Sequence, residues 1–155
     1  MLKPIAVATA ICGTLDIAFA MVLTLLFGRQ VDDMLRFVAS GPFPSATEMG
    51  AGGAVLGLVV HFALMAVMAA IFVIAARQLP ELRAKPIRWG VVYGLVTYVA
   101  MNLIVVPVRF DAPLPPSTVS IATQLFAHIV LVAIPFALIT ARFMPPQRAD
   151  PAATT

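Results

Sequence analysis

Charge is what this chain has least of. Only 11% of its 155 residues are Asp, Glu, Lys or Arg, roughly half the charged share of a soluble domain. Hydrophobic residues make up 61%, and a soluble domain this small cannot hide so much apolar surface, because short chains leave much of themselves exposed when folded. Lipid can absorb it. Cysteine is nearly absent too: Cys12 stands alone, which excludes an intrachain disulfide and any cysteine-based metal cluster. Its setting, Ala10-Ile11-Cys12-Gly13, makes it a small packing residue rather than a reactive thiol, and Ile11 is too large for a lipoprotein signal. There is no run of basic residues interleaved with aromatics, so nucleic acid is not an expected partner. The net charge of +3 reports orientation and contact with anionic lipid instead. Gly-x-Ser-x-Gly, His-Glu-x-x-His and a phosphate-binding glycine loop are all missing. The glycines at 50–53 have neither the lysine nor the strand that a nucleotide loop needs. The expectation is a protein that is not an enzyme.

What is present is apolar length. Four stretches, over 4–27, 51–76, 89–107 and 120–140, are long enough to cross about 30 Å of hydrocarbon as helices. Lys3 and Ala18-Phe19-Ala20 mimic a cleaved signal peptide, but Asp16 interrupts the stretch and apolar residues continue to Phe27, so the first helix is expected to stay. Ser45-Ala46-Thr47-Glu48 has the pattern of a capping box before the second helix. Ser117 is placed to cap the fourth. Between the first two spans, Val31, Met34, Leu35 and Val38 share one helical face with Asp32, Asp33 and Arg36 opposite, which predicts a short amphipathic helix in the membrane interface. Residues 77–88 read as a short basic turn, and 108–119, rich in proline, as a stiff extended loop. The fold expected is all-α: an antiparallel four-helix transmembrane bundle forming one domain over 1–144, with a flexible tail over 145–155.

Orientation follows from the basic residues. Lys3, Arg77, Arg83, Lys85, Arg88, Arg142 and Arg148 fall on one side, and Arg29, Arg36 and Arg109 on the other. Positive charge stays cytoplasmic, which puts both termini inside and Trp89 at the inner interface.

Four polar residues, one per span, need a reason to lie in lipid: Asp16, His61, Asn102 and His128. Counted from the outer end of each span, Asp16, His61 and His128 sit roughly 12–17 Å deep and Asn102 roughly 8 Å, so the first three share a layer. Gly53, Gly57 and His61 form one stripe, Gly90, Gly94, Tyr98 and Asn102 another, and Gln124 lies one turn from His128. Glycine stripes permit close helix contact, with polar side chains bonding across the gap, or they leave room for a flat cofactor. Three readings follow. The cluster fixes helix register; or it lines a solute cavity or proton path; or His61 and His128 ligate haem b, or join Asp16 around a metal ion. The expected function is a structural or accessory subunit, or a protein handling a small solute, without a cofactor. The alternative is a haem or metal redox protein.

Two further patterns stand out. Leu58-x-x-His61-x-x-Leu64-x-Ala66 matches Leu125-x-x-His128-x-x-Leu131-x-Ala133, which two tandem hairpins would explain. Pro135 is expected to kink the fourth helix. Finally, Gly13-Thr14-Leu15-Asp16, Gly52-Gly53, His61-Phe62, Tyr93-Gly94, Met101-Asn102, Pro107 and Pro115-Pro116, in this order, resemble a broad set of bacterial four-span inner-membrane proteins with no assigned activity. The resemblance implies the fold and a bacterial inner membrane, with the bilayer as partner and self-association or a larger membrane complex open to it. It transfers no mechanism.

Overall fold

A computed structural model of the protein describes residues 1–145, so the tail expected over 145–155 lies, beyond its first residue, outside the described residues. In chain order the elements are α1 (Leu2–Leu26), α2 (Val31–Ser40), a 3-10 turn (Pro44–Glu48), α3 (Gly50–Gln78), α4 (Glu81–Ala84), α5 (Pro86–Phe110) and α6 (Thr118–Phe143). No strand occurs among the described residues. Helices α1, α3, α5 and α6 are 25 to 29 residues long and apolar enough to cross a membrane. At 1.5 Å per residue they reach about 38–43 Å, beyond a hydrocarbon core of about 30 Å. They overrun most of the expected span limits because a helix can continue past the point where hydropathy falls. The large apolar side chains of Val22, Val59, Ile71, Val96, Ile104 and Val130 are exposed, the reverse of a soluble protein and the arrangement that lipid contact requires. The chain is a multi-pass membrane protein.

The interior mixes alanines and Cys12 with a few large side chains, Phe72 and Phe136 foremost. Cys12, at 0% exposure, packs with Ala8, Met65, Ala69, Val132 and Phe136, which ties α1, α3 and α6 together. A second group joins Phe72 and Ala76 to Leu82 and Ala137, with Trp89 packed against it. Helix α1 touches both α3 and α6, and α5 packs on α6. Tyr93 carries α5 across to α3: its hydroxyl donates to the Met68 carbonyl at 2.8 Å and its ring lies 5.0 Å from Phe72.

Glycine sets these distances. A Cβ on Gly94 would come within 2.8 Å of the Ile129 Cα, and one on Gly90 within 2.8 Å of the Ile134 Cα, so α5 meets α6 along its glycine stripe. A Cβ on Gly13 would strike the Phe62 ring at 2.7 Å, so α1 meets α3 there. The Gly53–Gly57 stripe faces neither α5 nor α6. It receives the backbone carbonyls of Leu35 and Ala46, which is how α2 and the 3-10 turn seat on the first half of α3. Leu35 and Ala39 are the buried face of α2. Arg36 pairs with Asp32 at 2.8 Å through one guanidinium nitrogen and with Asp33 through another, and these neighbouring carboxylates raise its already high pKa.

Ser45 and Glu48 do not form a capping box: they lie inside the 3-10 turn, and no side chain caps α3. Pro44 opens that turn and draws the hydroxyl of Thr47 back to its own carbonyl. Ser117 does cap α6, its Oγ accepting from the Ser120 N–H at 3.2 Å. Helix α5 runs further into the 108–119 loop than expected and stops at Asp111, whose φ of 51° is left-handed.

The two helices with a proline in their interior, α5 and α6, are widened rather than simply bent. Residues Val99–Val105 of α5 and Ala127–Ala133 of α6 are π-helical. Each seven-residue segment ends two positions before a proline, Pro107 or Pro135. A proline ring clashes with the carbonyl four residues back and has no N–H to give. Slipping the preceding turns into i→i+5 bonding moves that carbonyl aside.

The seat at Gly57 yields a prediction. Gly57→Ala would force Cβ into the Leu35 backbone, so we expect a loss of about 1–3 kcal/mol and faster proteolysis between Gln30 and Gly50. Gly52→Ala meets nothing within 4 Å and is expected to be neutral or to stabilise by up to about 1 kcal/mol. Thermal unfolding in mild detergent checks both.

Candidate functional site

The four intramembrane polar residues meet as two pairs in different places. On the α1–α3 seam, His61 Nε2 lies 2.9 Å from the Gly13 carbonyl oxygen, and His61 Nδ1 lies 3.9 Å from Asp16 Oδ2. The missing side chain at Gly13 creates this pair, because it lets Phe62 and the rest of that turn of α3 come close enough for the imidazole to reach the backbone. On the α5–α6 seam, Asn102 Nδ2 lies 3.1 Å from His128 Nε2 and 3.4 Å from the Tyr98 carbonyl. The Tyr98 ring stands edge-on to the imidazole, 6.2 Å between centroids. Asn102 and His128 both lie in π-helical turns, so the widening caused by the two prolines falls where the helices exchange their polar contact. Among the described residues no hydrogen bond or ion pair links one pair to the other.

The matching Leu-x-x-His-x-x-Leu-x-Ala patterns therefore do different work. His61 sits in regular α-helix and turns to a backbone carbonyl, whereas His128 sits in π-helix and turns to a side-chain amide. The Asn102 amide donates to His128 Nε2, which places the ring proton on Nδ1. That nitrogen is buried and has no protein partner among the described residues.

The donor arrangement does not fit the haem or metal alternative. Haem ligation needs a vacant ring nitrogen from each histidine, aimed at one shared plane. Here both Nε2 atoms are engaged with the protein, on separate seams. The glycine gaps that could have admitted a flat group are filled by the Leu35 and Ala46 carbonyls and by Ile129 and Ile134. Among the described residues no group of three His, Cys, Asp or Glu side chains converges as a metal site.

A second polar feature lies at the end of the helices where α2 folds over. A groove of about 430 Å³ runs between the end of α1, the start of α2 and the first turns of α6. Thr24, Arg29, Ser117, Ser120, Thr123 and Gln124 supply its polar wall, and Ala20, Leu23, Phe27, Met34 and Val119 its apolar one. It adjoins a space of about 540 Å³ under α2 that shares Thr24, Arg29 and Met34. Gln124 thus opens to this groove, one helical turn from His128. Thr24 and Thr123 turn their hydroxyl protons back to helix carbonyls, at 2.7 Å to Ala20 and 2.8 Å to Val119, leaving oxygen lone pairs for the groove. Among the described residues of this wall, Arg29 alone is charged.

In the sequence Gln124 stood out only as a neighbour of His128, Ser117 only as a cap and Arg29 only as a basic loop residue; the groove itself did not. Ser117, Ser120, Thr123 and Gln124 recur at helical spacing, a hydroxyl and amide stripe that was there to be read. Their partner wall, from residues 20–34, is set by the turn at Gly28 and could not be. Arg109 was likewise visible only as a basic loop residue. It reaches the end of α2, donating to the Ser40 and Gly41 carbonyls at 2.8 and 2.7 Å, while Phe110 stacks against Phe37 with 4.3 Å between centroids. Those carbonyls are among the last of a helix and lack intrahelical partners. The guanidinium latches α2 to the far end of α5.

The Asn102–His128 contact can be tested by removing one side. Asn102→Leu leaves both ring nitrogens of His128 without a protein partner, and we expect a loss of about 0.6–2 kcal/mol. Adding His128→Leu should restore part of it, because an unpaired buried polar group costs more than the absence of both partners. Unfolding of the single and double variants in detergent measures the coupling.

Set beside known proteins, the chain matches no protein-family model, no curated protein and no solved structure.

Proposed function

We infer that this protein is a non-enzymatic, multi-pass protein of a bacterial inner membrane that handles a small polar solute at its outer face. The observation behind this reading is the groove. It has a polar wall of hydroxyl, amide and guanidinium groups, opens at the α2 end of the molecule, and has the size of a small-molecule site. Most of its wall sits on the spanning helices α1 and α6, where rigid elements hold the groups in place, with Arg29 contributed by the turn into α2.

The orientation that suits this reading is an antiparallel bundle with both termini in the cytoplasm. The basic residues support it: Lys3, Arg77, Arg83, Lys85, Arg88 and Arg142 belong to the end opposite α2, and Arg29, Arg36 and Arg109 to the α2 end. In that arrangement α2 lies at the outer interface. Its acidic face of Asp32 and Asp33 meets water, and Leu35 and Ala39 meet α3.

A structural or accessory subunit is the second reading, and one observation favours it. His61 and Asn102 each bond to a neighbouring helix or residue in the manner of helix glue, and every stripe glycine that is buried receives a neighbour from within the chain. In that role the exposed helix faces would meet a partner subunit or a second copy as well as lipid.

One measurement tests the orientation and a second decides between the two readings. In a Cys12→Ser background, single cysteines at Gln30 and Ala112 should react with a membrane-impermeant maleimide in intact cells, and one at Ala84 only after lysis. Purified protein should then be screened for a rise in melting temperature against amino acids, sugars, organic acids and phosphate esters. Binding at a hundredfold excess over Kd is worth about 2.7 kcal/mol, and Thr123→Leu with Gln124→Leu should abolish the response. A response to none of these classes in wild type favours the subunit reading.

A further inference from the structure

We propose that Asp16 and His61 together form a one-proton site in the membrane interior, a store that is closed to onward transfer. This goes beyond the solute reading and stands whether or not the groove binds anything. The argument begins at Gly13. A carbonyl oxygen can only accept, so the His61 nitrogen 2.9 Å from it must carry a proton. That assigns Nε2–H and leaves Nδ1 as the atom facing Asp16 Oδ2, 3.9 Å away.

Four protonation states of the pair remain, and the membrane interior separates them. With both groups deprotonated, a carboxylate lies unpaired in an apolar layer and faces a nitrogen lone pair. With both protonated, an imidazolium lies there without a counterion. Each leaves one uncompensated charge where charge is most costly. The two remaining states hold one proton between the groups, either as carboxyl and neutral imidazole or as carboxylate and imidazolium, and both are neutral overall. They interconvert when the proton moves from Asp16 Oδ2 to His61 Nδ1, with the oxygen keeping its bonding electron pair and the nitrogen lone pair forming the new bond. The separation of 3.9 Å exceeds a direct hydrogen bond, so this transfer requires either a small closure of the seam or one intervening water.

Among the described residues, the surroundings supply no other charge to change this. The nearest ionisable group on α1 is Cys12, one turn away. On α2, Arg36 is taken by Asp32 and Asp33. Helix α3 has no further ionisable residue before Arg77, and α6 contributes only His128, engaged with Asn102, before Arg142 at its far end. On α5, Tyr98 stands against His128 and Tyr93 donates to the Met68 carbonyl. The exits are asymmetric. Asp16 retains 23% side-chain exposure and His61 only 9%, so Asp16 is the less enclosed member of the pair and the side on which we place exchange of the proton. Beyond His61 the path stops, because Nε2–H donates to an amide carbonyl that does not pass a proton on.

The test uses full-length protein in lipid nanodiscs, labelled with 15N-histidine. There are two histidines, and His128→Gln assigns the spectrum. We expect His61 Nε2 to carry hydrogen at neutral pH, and the protons on Nδ1 and on the Asp16 carboxyl to total one. The second is read from the infrared band of a protonated carboxyl, identified by its loss in Asp16→Asn. Should that variant fail to fold, 13C-aspartate in the wild type reads the same state. A neutral Nδ1–H tautomer overturns the proposal, and so does a total of zero or two. In proteoliposomes holding a pH gradient, the gradient should decay no faster than in protein-free vesicles. Faster decay that is abolished by His61→Gln would show a conducting path and overturn the closed store. Groove variants such as Thr123→Leu leave these readouts unchanged, so the failure of either reading is seen separately.

Discussion

Close approach between a glycine and a neighbouring backbone is the constraint on which the rest of this molecule depends. Many of the buried side chains are alanines and many large apolar ones are turned outward, so the two small clusters around Phe136 and Phe72 leave the distance between helices to be set elsewhere. Lipid offers the outer side chains much the same environment that a core would, so burial alone drives association weakly. What remains is contact geometry. Gly90 and Gly94 bring α5 onto the Ile129 and Ile134 backbone of α6, Gly13 brings α1 onto Phe62, and Gly53 and Gly57 take the carbonyls of Ala46 and Leu35. Each polar contact in the interior is a consequence. His61 reaches the Gly13 carbonyl because that turn has no side chain in the way, and His128 reaches Asn102 because the α5–α6 seam is already closed one or two turns beneath.

The prolines act on the same seam from the other direction. Pro107 and Pro135 each push the preceding turns into π-helix, and a wider turn rotates the residues within it relative to a regular helix. Asn102 and His128 lie in those rotated stretches and face each other. The α1–α3 seam has no proline beyond Pro4 and no π-helical turn, and its pair is organised by a backbone carbonyl instead. One chain thus uses two solutions to the same problem of satisfying a histidine in an apolar layer. The two differ in consequence, since an amide fixes the ring in one tautomer, whereas a carbonyl and a carboxylate on opposite nitrogens leave a proton to be shared.

Helix α2 shows how a short amphipathic segment becomes part of a membrane fold. Its apolar face rests on the glycine stripe of α3, and its carbonyl end is held by Arg109 from α5, with Phe37 and Phe110 stacked beside the contact. It therefore bridges two spanning helices and roofs the space between α1 and α6. The groove exists because α2 is held in this position: its walls come from residues 20–34 and 117–124, which are remote in sequence and meet only under that roof.

The sequence by itself determined the number of spanning helices, their approximate limits, the amphipathic α2, the Ser117 cap and the four polar residues Asp16, His61, Asn102 and His128 that the spans carry. These are local properties: hydropathy over about twenty residues, helical periodicity, and the capping preference of a hydroxyl before a new helix. Tertiary structure decided which polar residue meets which. Depth along a helix can be counted from the sequence, but rotation about its axis and the choice of neighbour cannot. Three residues counted to one layer and a shallower fourth therefore resolved into two separate pairs, with Asn102 joining His128, and a glycine stripe that suited a helix partner or a cofactor received the carbonyls of Leu35 in α2 and Ala46 in the 3-10 turn. The failed capping box at Ser45 and Glu48 has the same origin, since Pro44 and the docking of Ala46 on Gly53 commit those residues to a 3-10 turn before they can reach α3. The π-helical turns were legible only as a kink at Pro135, because their extent depends on how α5 and α6 fit against each other.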